Sequence, residues 1–404
     1  MSVVAVPLDL LARPDALGGL RHGDCLVGRP VLRAGRLVGL DPAPGLIAGH
    51  VVLPRLTEVH CHLDKCHTID RIGATGGDLA AAIAAQAADK AHWSADDIRA
   101  RALRGLEEYR TAGVGPLRSH VDWGHPPDWS ATPRAWPVLA ELARGTPGLQ
   151  LAALVGVDLL AEPGLADRVA QACAAAGGVL GGFVLHHAHR REGLRAAFRA
   201  AERHGLALDF HVDEGLADGL DGLSLIAETA LETGFQGPVL CGHACSLANL
   251  APEPLARTAD RLARAGIAVA VLPATNLYLQ DRRPGRSPDR RGLAPLHELR
   301  AAGVRVVVGT DNVADAFQPG GRHDPLWSLQ IASLACQLDP PFGRWLPLVA
   351  TEARAALGLQ PGCIDELPAA DLLAFPGRST ADLLARSAPP VPLTSLLPKA
   401  DPCP

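Results

Sequence analysis

From residue 51 onward the chain alternates between two textures. Short apolar runs occupy residues 51–59, 117–121, 149–157, 179–185, 206–212, 238–242, 267–272 and 304–309. Between most of them lie longer segments rich in Ala, Leu and Arg with helical spacing, as at residues 95–111, 166–176, 192–204 and 252–265. An unbroken apolar run suits a strand covered on both faces, and helices between such strands are the connections of a parallel sheet. Eight such strands close a TIM-like (β/α)8 barrel, so an α/β fold of that kind is predicted.

The two ends of the chain differ from this middle. Cys25-Leu-Val-Gly, Val31-Leu-Arg and Arg36-Leu-Val-Gly-Leu read as three short strands, each bounded by Gly, Pro or Asp. Short-strand texture returns at residues 362–375. Residues 1–55 and 362–404 are therefore expected to form one small flanking β domain, with the barrel at residues 56–361. Residues 387–404 are Pro-rich and expected to be irregular, leaving that domain without a final strand.

Composition narrows the function classes. Of 404 residues, 48% are hydrophobic and 20% charged, a core-forming balance. The formal net charge of −5 supplies no basic field, so neither nucleic acid nor a membrane surface is expected as a partner. No apolar run reaches membrane-spanning length, and the first residues lack the charged start of a secretory signal. Nine cysteines without a C-x-x-C pair are expected as reduced thiols in the cytoplasm rather than as a zinc knuckle.

In such a barrel the chemistry sits at the C-terminal strand ends. The first run ends in His60-Cys61-His62-Leu63-Asp64, the second in His120-Val-Asp122, the fifth in His211-Val-Asp213-Glu214, the sixth in His243 and the eighth in Asp311-Asn312. His60 and His62 alternate to the same side of an extended strand, and Cys61 to the other, where it packs. With His211 and Asp311 they make a nitrogen-rich set suited to one zinc, iron or manganese ion, zinc first. A lone strand-end His is more often a hydrogen-bonded polar residue, and His67, His92, His125, His186, His187, His189, His297 and His323 are given that reading.

A bound divalent ion lowers the pKa of water to about 7 and makes hydroxide available at neutral pH. Attack on an amino-bearing ring carbon then needs a proton for the leaving nitrogen. Glu214 is the expected proton shuttle, and His243 is expected to hold or polarise the attacking water. The fourth run offers no lysine that could bridge two metals, so a single ion is expected. The H-x-E and P-C-x-x-C signature of the deaminases that act on flipped bases is absent.

Taken in order, these stretches resemble the bacterial cytosine deaminase-like amidohydrolases and their relatives acting on triazines and creatinine. The resemblance runs from about residue 51 to residue 375. It rests on Val59-His60-Cys-His62-Leu-Asp64, Ser119-His120-Val-Asp122, Phe210-His211-Val-Asp213-Glu214, Gly242-His243, Asn276-Leu-Tyr-Leu279-Gln280-Asp-Arg282 and Gly309-Thr-Asp311-Asn312. It implies a barrel with a flanking β domain, metal ligation by His60, His62, His211 and Asp311, and catalysis by Glu214, His243 and Asp311. It also implies a homo-oligomer, and it puts Gln280 near the substrate, where Asn312, Phe317, Lys65 and Asp122 are further expected contacts.

Several positions depart from the cytosine-specific pattern. Gly156-Val157-Asp158 has no Gln after the third run, Asn312 stands where a second Asp is usual, and Phe317 stands in place of a Trp. Asp64-Lys65 resembles the isopropylammelide-type triazine hydrolases instead. Buried polar groups left unpaired are costly, so these departures point away from cytosine itself. The expected activity is ammonia-releasing deamination of a cytosine-like aminated ring (cytosine, isocytosine or a relative), with alkylamine release from an aminotriazine such as isopropylammelide as the alternative. A non-catalytic ligand-binding barrel is the third reading, and it leaves the complete donor set unexplained.

Overall fold

A computed structural model describes residues 2–123, 134–185, 188–385 and 388–397. His125, His186, His187 and residues 398–404 of the Pro-rich end lie outside that set. Five strands come first: β1 (Val4–Pro7), β2 (Leu20–His22), β3 (Cys25–Arg33), β4 (Arg36–Asp41) and β5 (His50–Pro54). Eight follow: β6 (Leu56–Cys61), β7 (Val114–Asp122), β8 (Leu149–Gly156), β9 (Leu180–Val184), β10 (Leu208–Val212), β11 (Val239–His243), β12 (Ala268–Val271) and β13 (Val306–Val308). The last two are β14 (Leu372–Pro376) and β15 (Val391–Pro392).

Strands β6 to β13 lie side by side in chain order and pair in parallel. The sheet meets itself where Cys61 bridges Asp311 and the Asp311 amide donates to the His60 carbonyl at 2.8 Å. With helices in the connections, this is a TIM-like barrel. The other sheet runs β15-β14-β5-β1-β3-β2, with β4 on β3, so both chain ends build the flanking β domain.

Three local features differ from the sequence reading. The run at 51–59 is two strands, not one. Every residue of β6 and all of β5 but His50 is buried, so hydrophobicity marks no boundary. The hydrogen bonding does: the Arg55 amide donates to Asp371 of the flanking domain, and the Leu56 amide to Gly113 of the barrel, both at 3.0 Å. Pro30 does not divide its neighbourhood into two strands. The β1 ladder ends at Gly28, so beyond it β3 pairs only with β4 and has a free side where a missing N–H costs nothing. The Pro-rich end contributes a strand after all, the short β15, with Ala374 opposite Val391.

Two helices position the site. Helix Ala95–Thr111 begins at Ser94, whose hydroxyl caps the Asp97 amide, and Asp96 and Asp97 complement its N-terminus. It buries Ile98, Ala102, Gly105 and Tyr109, a one-face spacing. Helix Leu79–Asp89, capped by Asp78, lies over the mouth of the barrel. Among the described residues no helix is long and apolar enough to cross a membrane.

Candidate active site

Four side chains meet at the barrel mouth. His211 Nε2 lies 3.0 Å from His60 Nε2 and 3.1 Å from His62 Nε2. Asp311 Oδ1 is 3.6 Å from His60 Nε2 and 3.3 Å from His62 Nε2. His60, His62, His211 and Asp311 are all buried. Asp311 takes a positive φ of 63°, His243 one of 73° and Asp213 one of 52°, conformations that non-glycine residues hold at some energetic cost and that gather at functional sites.

The chemistry of this donor set fits a divalent cation. Burial holds the three imidazoles well below their usual pKa, helped next by neighbouring rings at His60 and His211 and by the Lys65 ammonium at His62, so they are neutral and each carries a lone pair. Burial, and then Glu214 and Asp315, push the Asp311 carboxyl well above its usual range, and neither of its oxygens accepts a hydrogen bond. A cation between them would satisfy the lone pairs and the carboxylate at once.

Glu214 and His243 stand beside this cluster. Glu214 Oε2 is 3.5 Å from His243 Nε2. Burial pushes the Glu214 carboxyl up to about 8, against the pull of Lys65. Asn276 Nδ2 lies 3.0 Å from His243 Nδ1. An amide nitrogen donates, so Nδ1 accepts and the ring proton sits on Nε2, facing Glu214. Asp213 fixes the loop by accepting from the Gly222 and Leu223 amides at 2.9 and 3.0 Å, at the start of the next helix.

A cavity of about 260 Å³ opens in front of these groups. Lys65, Asp122, Asn312 and Phe317 line it, as expected of substrate contacts, but Gln280 does not. Gln280 is buried behind the wall at the end of helix Pro273–Leu279. Lys65 Nζ is 2.8 Å from Asp122 Oδ1, and Lys90 Nζ is 2.7 Å from Asp122 Oδ2. The Asp122 carboxyl is buried, yet the two ammonium groups hold it below its usual range. Asn312 Nδ2 donates to Asp315 at 2.6 Å.

Sequence reasoning missed several of these groups. Gln86, Lys90 and the apolar Leu79, Ile83 and Ala87 form one wall, all from helix Leu79–Asp89 and the residue after it. Their spacing on one helical face was a usable signal. His120 had no assigned role, yet it joins His60, His62 and His211 in one cluster. Its ring lies 4.0 Å from that of His60, and its Nε2 is 3.0 Å from Asp209 Oδ1. His67 and His323, given the bland reading, come together around Glu108.

Comparison with known proteins decides the family. The model of the Amidohydrolase family, the one designated Amidohydro_3, matches residues 134–393. The chain belongs to the amidohydrolase family. This amidohydrolase is 35% identical over 373 residues to a pterin deaminase of Rhizobium rhizogenes, a match covering 91% of this chain and 85% of the relative. Among solved structures, the 5-methylcytosine deaminase of Klebsiella pneumoniae with 5-fluorocytosine superposes with a TM-score of 0.78 at 22% identity, over 96% of this chain and 94% of that one. The N-isopropylammelide isopropylaminohydrolase of Burkholderia multivorans gives a TM-score of 0.69 at 25% identity, over 95% and 94%. The resemblance read from the strand-end motifs therefore stands. This amidohydrolase is a metal-binding hydrolytic enzyme acting on C–N bonds.

Proposed function

We propose that this amidohydrolase deaminates an aminated nitrogen heterocycle that presents a 2-amino-4-oxopyrimidine edge, either alone, as in isocytosine, or fused into a larger ring, as in a pterin. The observation that carries the reading is Glu214. It is a buried carboxyl poised near neutrality, facing both the cavity and the donor cluster. A shuttle must take a proton at one step and give it up at the next, which a group titrating near the working pH does best.

His60, His62, His211 and Asp311 would hold one divalent ion, zinc by donor type. When bound, that ion supplies the Lewis acidity that makes water nucleophilic at neutral pH. Glu214 takes a proton from the attacking water and delivers it to the departing nitrogen. The His243 Nε2–H is placed to donate to the oxygen that adds to the ring carbon. The C–N bond breaks, ammonia leaves, and the ring keeps a carbonyl. Asn312 and the Lys65–Asp122 pair supply polar groups for the ring edge, while Trp123, Phe183, Phe317 and Ile83 give the ring apolar surface to pack on.

Support for the fused ring comes from the pterin deaminase relative, whose match spans most of both chains. A second reading, release of an alkylamine from a triazine, is favoured by Lys65 beside Asp64 and by the isopropylaminohydrolase likeness. One panel separates them. Metal-reconstituted protein is offered isocytosine, cytosine, pterins and N-alkylated aminotriazines, and ammonia and alkylamine are both measured. Ammonia from pterin or isocytosine is the expected result, and alkylamine without ammonia would transfer the assignment to the triazine reading.

A further inference from the structure

We propose a second divalent-metal site, separate from the strand-end cluster and made by His67, Glu108 and His323. His67 lies in the loop after β6, Glu108 near the end of helix Ala95–Thr111, and His323 just before helix Pro325–Ala335. Gly105 allows them to meet. A Cβ there would lie 2.9 Å from Leu63 Cδ2 and 3.0 Å from His323 Cε1, so a side chain would hold the helix away.

The two rings approach a single carboxylate oxygen. His323 Nδ1 is 2.7 Å and His67 Nε2 3.1 Å from Glu108 Oε2. The side chain of His67 is 6% exposed and that of His323 1%, against 37% for Glu108. Among the described residues neither nitrogen of the His67 ring has a hydrogen-bond partner in good alignment, although the ring is buried and aimed at the carboxylate. Its burial, opposed by Glu108, leaves it titrating at about 4, so the ring is neutral at pH 7 and carries a lone pair. Two neutral imidazoles and one carboxylate, with ligand atoms within 4.8 Å of one another, form a three-ligand set for a borderline ion such as zinc.

The surroundings complete the case. Arg104 Nε donates to the other Glu108 oxygen at 3.0 Å and so fixes the carboxylate with Oε2 turned to the rings, as partners of metal ligands do. A cavity lined by Arg322, Val313 and Ala314 borders the cluster and leaves room for a water on the ion. The His67 and Ile69 amides donate to the Val313 and Ala314 carbonyls at 3.1 and 2.9 Å. Tyr109, next to Glu108, places its hydroxyl 2.6 Å from Thr310 Oγ1. An ion there ties together three segments around the strand end that carries Asp311. Its role is to brace that end, with no contact to substrate.

Metal content tests this independently of which ring the catalytic site takes. Wild type, His67→Ala and Glu108→Gln are loaded with zinc, freed of excess, and assayed for zinc per chain. Wild type is expected to hold about one equivalent more than either variant, consistent with a closed ligand set. Both variants should keep their turnover, and the unfolding temperature of His67→Ala should fall further below that of wild type in zinc than in a chelator. If Glu108→Gln folds poorly, His67→Ala alone decides the matter. Equal zinc content in wild type and His67→Ala overturns the proposal, as does a difference in unfolding temperature that is the same in zinc and in the chelator.

Discussion

Two buried polar groupings share this barrel and are built on opposite terms. Inside it, Arg118 and Asp209 are fully buried and paired at 2.7 Å, and Gln150 accepts from two nitrogens of the same guanidinium at 3.1 and 2.8 Å. Every charge there has a partner from the chain. At the mouth, His60, His62, His211 and Asp311 are equally buried, but their lone pairs face one another and the Asp311 oxygens accept nothing. Burying polar groups is tolerable only when they are satisfied. In the first grouping the Arg118 charge is satisfied by the fold, although Asp209 also reaches His120 of the cluster at 3.0 Å. The second is completed by something that is not protein, and that is what makes it a site.

The sharpest way to break this comparison is to remove one carboxylate from each grouping. Asp311→Ala should abolish tight metal binding and reduce turnover to background. In metal-free protein it should cost little stability, because the carboxylate it removes has no partner. Asp209→Ala should cost far more stability in metal-free protein. It leaves the Arg118 charge buried and unpaired, at a cost of about 3–5 kcal/mol. Chemical denaturation of the metal-free variants reads both effects, and equal losses would show that the two groupings are alike.

The pH dependence of turnover sharpens the catalytic side. Burial raises the Glu214 carboxyl to about 8, and only its ionised form can take from the attacking water the proton that is then delivered to the leaving nitrogen. Turnover should therefore fall on the acid side by about tenfold per pH unit. A divalent charge nearby favours the carboxylate and moves the limb to lower pH. A rate that does not fall as the pH is lowered would remove Glu214 from the proton path.

The smallest effect belongs to Lys90. It is 30% exposed, and Asp122 keeps Lys65 when it is lost. Lys90→Ala should change stability by no more than about 1 kcal/mol. Because Lys90 lines the cavity, KM should rise while kcat is nearly kept, which steady-state kinetics on the best substrate of the panel would resolve. A large fall in kcat would place Lys90 in the chemistry instead.

The barrel was legible because each strand is an apolar run buried on both faces, and its strand-end polar residues stand out against that background. His60, His62, His211, Asp311, Glu214 and His243 could all be picked out in this way. The break between β5 and β6 was not, because both sides of it are buried and only the hydrogen-bond partners change. Lys90 and Gln86 were missed because their importance comes from a helix folding over the mouth, which strand periodicity does not report. Gln280 was placed near the substrate by resemblance; it is buried at the end of its helix and is not among the residues that line the cavity. His67, Glu108 and His323 are far apart in sequence, and only the close approach allowed at Gly105 joins them.

The central claim is that a buried, neutral-poised carboxyl beside an unsatisfied donor cluster performs hydrolytic deamination. The most direct test measures bound metal and ammonia release on the same preparations of wild type and Glu214→Gln. The expected result is equal metal content at the strand-end cluster, with turnover lower by about 10²–10⁴-fold in the variant. Undiminished ammonia release by Glu214→Gln would contradict the account.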